Sequence, residues 1–163
     1  MTGRVLVAGI GNIFLADDGF GVSVAQRLAR EELPPYVKLM DIGIRGVHLA
    51  YELLEDYELA ILIDAMPLGA EPGTVKLVEP DPEPADPDVP PDAHRMDPQA
   101  VFDYLASLGG TSARVLIVGC QPGTIAEEIG LSPAVEAAVD EAVQLVRELV
   151  ADPARTRQLK RSA

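Results

Sequence analysis

Val5-Leu6-Val7-Ala8-Gly9-Ile10-Gly11-Asn12-Ile13-Phe14-Leu15-Ala16-Asp17-Asp18-Gly19-Phe20-Gly21 decides the fold. Its apolar opening has the pattern of a strand covered on both faces, and the glycines that follow end the strand and open a loop. Two adjacent carboxylates, Asp17 and Asp18, close that loop just where helical periodicity begins near Gly21. Glycine tolerates positive φ and the close approach of other atoms, and paired carboxylates concentrate charge where a cation or a proton is handled. The loop is therefore the first place to expect chemistry.

Working outward, β-branched runs recur at residues 36–41, 59–63, 74–78 and 114–118, and helical stretches fall at 21–31, 46–54, 98–108 and 133–150. This alternation predicts an α/β fold, a three-layer α/β/α sandwich around a mostly parallel twisted sheet of about five strands. The first, third and fifth runs are apolar nearly throughout and belong at the sheet centre. Thr74-Val75-Lys76-Leu77-Val78 alternates instead, which marks an edge strand, and the turn before it allows antiparallel pairing. Asp97-Pro98 and Ser132-Pro133 each set a capping side chain before a proline, which the first helical position accepts because its missing N–H has no partner there.

With 163 residues, 48% of them apolar, the chain is expected to form one domain over residues 1–151. Residues 80–92 hold six prolines and five acids in thirteen positions, the composition of a mobile acidic loop. Residues 152–163 carry Arg155, Arg157, Lys160 and Arg161 with little apolar content and read as a basic, disordered tail. Twenty-six acids against thirteen Lys and Arg give a net charge of −13, which disfavours nucleic acid or an anionic membrane surface as partner. No 18-residue apolar run and no secretory h-region appear, so a cytoplasmic protein is expected. Cys120 is the single cysteine, which leaves no internal disulfide and no thiolate cluster, and with only His48 and His94 as imidazoles any metal site must be mainly carboxylate.

In α/β sheets ligands bind beyond the carboxyl ends of the strands, and those positions are acidic here. The first strand delivers Asp17 and Asp18, the second ends at Asp41-Ile42-Gly43-Ile44-Arg45-Gly46, the third at Asp64-Ala65, and His94 precedes the helix cap at Asp97. Asp18, Asp64 and His94 thus make a two-carboxylate, one-imidazole set suited to a borderline divalent ion such as nickel or zinc. Plainer roles stay open. Asp64 can cap a turn, Asp17 and Asp18 can favour a helix dipole, and His94 can be a loop residue without a role. His48 lies in an apolar helical pattern and reads as a partly buried packing residue. Cys120 follows the fifth strand, where a nucleophile could stand, yet a lone buried cysteine is usually inert packing. Arg45, between glycines in an acidic rim, either clamps a substrate carboxylate or neutralises Asp41. A dinucleotide reading of Gly9-x-Gly11 fails at Phe14, which replaces the third small residue, and at the two acids, which repel a pyrophosphate.

Gly9-Ile10-Gly11-Asn12, Asp17-Asp18-Gly19-Phe20-Gly21, Asp41-x-Gly43-Ile44-Arg45-Gly46, Asp64-Ala65, His94 and Gly130-Leu131-Ser132-Pro133, in this order, resemble the hydrogenase maturation endopeptidases over about residues 4–150. The resemblance implies a protease that removes the short C-terminal extension of a nickel-loaded NiFe-hydrogenase large-subunit precursor. It also implies a metal site and catalytic site at Asp18, Asp64 and His94, the nickel being supplied by the substrate, with zinc or cadmium able to occupy the site in vitro. Asp18 stands where relatives carry Asp or Glu; Ile44-Arg45 departs from the Thr that many relatives have there. Gly119-Cys120-Gln121-Pro122 resembles the family's exit from the fifth strand, which favours a structural loop. A monomer is expected. The alternatives are a non-proteolytic, metal-dependent chaperone or docking module for the large subunit, and a peptidyl-tRNA hydrolase sharing only the Gly-x-Gly-Asn loop, which the −13 charge opposes.

Overall fold

The computed structural model describes residues 3–80 and 98–159. Strands β1 (Val5–Ile10), β2 (Val37–Gly43), β3 (Leu59–Ala65), β4 (Val75–Val78) and β5 (Arg114–Cys120) form one sheet in the order β2-β1-β3-β5-β4. Helices α1 (Phe20–Leu28), α2 (Gly46–Glu52), α3 (Pro98–Ser107), α4 (Pro133–Ala151) and α5 (Pro153–Arg157) complete the described part, with a 3-10 turn at Ala16–Gly19 between β1 and α1. Pairing is parallel from β2 through β5, and β4 closes the edge antiparallel to β5, Val75 opposite Cys120 and Val78 opposite Ile117. The α/β sandwich, its apolar central strands and its alternating edge strand all follow the sequence pattern.

Period-2 alternation sends neighbouring residues of each central strand to opposite faces. Val5, Val7, Leu59, Ile61 and Ile63 bury against α1 and α4, while Leu6, Ala8, Ile10, Ala60 and Leu62 bury with residues of α2 and α3. Two apolar cores on one sheet are what make the three layers. α1 lies unusually close to β1 and β3 because its first turn is glycine. A Cβ on Gly21 would fall 2.1 Å from the Ile63 carbonyl oxygen and 2.3 Å from that of Ile10, and a Cβ on Gly9 would meet the Gly21 carbonyl at 2.2 Å. These glycines serve helix-on-sheet contact.

Three expectations need correction. α1 ends at Leu28, short of residue 31. The stretch after Asp152 is not a frayed tail up to Leu159: Asp152 accepts from the Arg155 N–H at 3.2 Å, α5 forms, and the buried Thr156 hydroxyl donates to the Leu149 carbonyl at 2.6 Å. Arg114 anchors it from β5, Nη1 donating to the carbonyls of Arg157 and Leu159, both at 2.6 Å. Ser132 precedes Pro133 as expected but makes no side-chain cap to α4, because its hydroxyl is used elsewhere. The stretch expected to be a mobile loop, residues 80–92, lies outside the described residues beyond Pro80, as do Asp97 and the last four residues.

Candidate functional site

β1 leads through α1 to β2 on one side, whereas the chain reaches β3 on the other side of β1. The strand order therefore reverses between β1 and β3, and the carboxyl end of the sheet at such a point is the usual place for a ligand in this architecture. Gly11 follows β1 at this point. It holds φ +140°, and a Cβ there would lie 1.9 Å from the Asp18 carbonyl oxygen and 3.8 Å from Asp64 Oδ1. Only glycine fits both the backbone conformation and the space. The Asp18 carboxylate turns back over the same loop, where Oδ2 accepts from the Asn12 N–H at 2.9 Å. Asp18 is half-buried, and Asp64, at the end of β3, is 5% exposed. Thus the Asp18 carboxylate lies at Asn12 and the Asp64 carboxylate beside Gly11, while His94, the third candidate, lies outside the described residues.

Asp17, adjacent in sequence, has a different fate. It is 0% exposed, and its carboxylate accepts four hydrogen bonds: from the N–H of Gly123 (2.8 Å), Thr124 (2.7 Å) and Ser132 (2.6 Å) and from the Ser132 hydroxyl (2.8 Å). Burial alone would push its pKa up; the four donors outweigh burial and hold the carboxyl below its ordinary value. The same seam continues in the backbone, Ala16 N–H donating to the Glu128 carbonyl at 2.8 Å and Asp17 N–H to that of Thr124 at 3.0 Å. Ala16 is held at φ 51°, a conformation that an alanine adopts only under constraint. Asp17 ties the β1 loop to the loop after β5 and so fixes where Asp18 stands.

The remaining candidates have structural positions. Arg45 donates to the carbonyls of Asp41 (2.5 Å) and Ile42 (3.2 Å), so its guanidinium closes the end of β2 through backbone oxygens. His48 is exposed, against the expectation of a partly buried residue, because it falls on the outer side of α2 while Leu49 and Ala50 face inward. Cys120 is buried in the core, and burial with the negative charge of Asp17 and Glu141 pushes its thiol up to about 11, which keeps it protonated and unreactive near neutral pH. Gln121 Oε1 accepts from the Leu68 N–H at 2.6 Å and steadies the loop after β3.

Among the described residues no three His, Cys, Asp or Glu side chains group as a metal site. Asp18 and Asp64 offer two oxygen donors, a set that fits a divalent cation only once a third ligand joins them.

Residues 22–149 match the family model for HycI, hydrogenase maturation protease. The hydrogenase expression/formation protein HupD of Rhodobacter capsulatus is 38% identical over 150 residues, covering 90% of this chain and 71% of that protein. Among solved structures, hydrogenase 2 maturation peptidase from a Thaumarchaeota archaeon superposes with a TM-score of 0.70 at 36% identity, covering 91% of this chain and 98% of that one. The Escherichia coli hydrogenase maturating endopeptidase HybD superposes with a TM-score of 0.73 at 28% identity over 93% of each chain.

Proposed function

This chain belongs to the hydrogenase maturation proteases, and from that premise we propose that it removes the C-terminal extension of a nickel-loaded NiFe-hydrogenase large-subunit precursor, with Asp18, Asp64 and His94 as its working residues. The observation that supports this reading is the placement of the Asp18 carboxylate on the Asn12 N–H and of Asp64 Oδ1 beside Gly11 at the sheet's switch point, with the neighbouring acid Asp17 fully committed to structure.

Nickel enters here as part of the substrate, held by the precursor and offered to the two carboxylates and the imidazole. Loading with metal then licenses proteolysis. A divalent ion bound there supplies positive charge that polarises a water or the scissile carbonyl. The protein's own share is positional. Asn12 N–H holds one oxygen of Asp18 and leaves the other for a ligand or for the proton of an attacking water. Asp64 contributes a carboxylate withdrawn from bulk solvent at the end of β3, where interactions with charge are stronger than in water. Zinc or cadmium would take the same three donors in vitro.

Co-expression with a large-subunit precursor and intact-mass measurement tests the reading. The expected product is shortened at its C-terminus with the wild-type chain and full-length with Asp18→Asn. A full-length product with the wild-type chain would favour a chaperone that binds without cutting.

A further inference from the structure

Beside the paired acids, the loops at the carboxyl end of the sheet expose large apolar side chains that neither core uses. Phe14 is 61% and Ile129 75% exposed, and Ile13 and Ile125 are exposed as well. Ile13 and Phe14 belong to the β1 loop, Ile125 and Ile129 to the loop after β5, and the seam between Ala16 or Asp17 and Glu128 or Thr124 joins the two into one surface. These side chains are held outward by a bonded backbone. Phe14 N–H donates to Asn12 Oδ1 at 2.9 Å, and Leu15 N–H to the Asn12 carbonyl at 3.1 Å. Single exposed apolar residues are ordinary, whereas a cluster on a rigid rim next to a site marks a contact surface.

Charge indicates what covers it. Residues 11–19, 66–74 and 121–132 include Asp18, Glu71, Glu127 and Glu128 and contain no Lys or Arg. A second copy of this chain, at −13, would set the same acids against them. A polypeptide with apolar side chains next to Lys or Arg satisfies both the apolar rim and its acidic border.

We propose that Phe14, Ile125 and Ile129 form a docking strip for such an apolar-basic segment of the protein substrate, on the flank of the Asp18 and Asp64 site. The proposal rests on the protease reading above. A strip of this kind acts on affinity and leaves the chemical step alone, so its loss raises KM with kcat unchanged.

The test is the double variant F14S/I129S, both positions being exposed and outside the core, assayed as the full chain on nickel-loaded large-subunit precursor. KM is expected to rise at least about tenfold with kcat within about twofold of wild type. Binding of labelled precursor, followed by anisotropy in the D18N background, should weaken by a similar factor and should weaken further as salt is raised. Unchanged KM and unchanged binding in F14S/I129S would overturn the strip while leaving the protease reading intact. If the wild-type chain leaves the precursor uncut, the protease reading fails, and the binding comparison still decides the strip. A wild-type dimer in sedimentation that F14S/I129S converts to monomer would assign the strip to a second copy and overturn the substrate proposal.

Discussion

Asp17 and Asp18 are neighbours of the same chemical type with unequal surroundings, and their substitutions should separate accordingly. Removing the Asp17 carboxylate strands four donors in a site without solvent, so Asp17→Ala should cost on the order of 4 kcal/mol, a large part of a domain's usual stability. Asp18 is half-buried and accepts one backbone hydrogen bond, and Asp18→Asn should change stability by about 0.5 kcal/mol or less while abolishing processing. Urea melts of both variants check this pair. The sign of the pH effect follows from the depressed Asp17 pKa. Its contribution is fully present above the unfolded value near 3.8 and is lost as pH falls through the lower folded value. Wild type should therefore lose stability below about pH 4 through this group, and Asp17→Ala should show a shallower loss there. The adjacency of the two acids was legible in the sequence. What Asp17 does was not, because its partners lie 106 to 115 residues away and two of the four contacts are backbone amides of Gly123 and Thr124, whose side chains announce nothing.

At the scale of elements, α1 depends on a contact that only glycine permits. Gly21→Ala forces a methyl group against the fixed carbonyls of Ile63 and Ile10, and should destabilise by about 3 kcal/mol although alanine favours helices in isolation. A Tm below that of wild type checks the direction; an equal or higher Tm would contradict the close packing. α5 makes a second case. Deleting residues 152–163 removes the Leu149 to Thr156 bond and the carbonyls that satisfy Arg114, and should cost about 2–3 kcal/mol, seen as a Tm lower by about 5–10 °C. Strands were legible because periodicity is local: the unbroken apolar runs of β1 and β3 mark the centre, and alternation in residues 74–78 marks the edge. The fold of residues 153–157 was not legible. Its composition is basic and polar, and it is held by backbone oxygens bonded to an arginine on β5, a pairing that no local pattern contains. Ser132 was recognised as a capping type of residue, but its hydroxyl bonds to Asp17 because that buried charge is the stronger acceptor.

Taken whole, the loops that hold Asp18 and the exposed Ile13, Phe14, Ile125 and Ile129 carry no Lys or Arg over residues 11–19, 66–74 and 121–132, and several described cations are engaged elsewhere. Arg4 stacks over Tyr57 at 4.5 Å, Lys38 pairs with Glu52 at 2.8 Å, and Arg114 pairs with Glu79 at 3.1 Å. The net charge of −13 would draw the proposed substrate, a protein bearing its own divalent cation, toward the chain. Asp18 and Asp64 are proposed to read the metal on the precursor and to permit its cleavage. Intact-mass spectrometry of purified large-subunit precursor, with and without nickel, incubated with wild type, Asp18→Asn and Asp64→Asn, tests it most directly. Loss of the C-terminal extension is expected only from nickel-loaded precursor and only with wild type. Cleavage of nickel-free precursor, or wild-type cleavage rates in both variants, would contradict it.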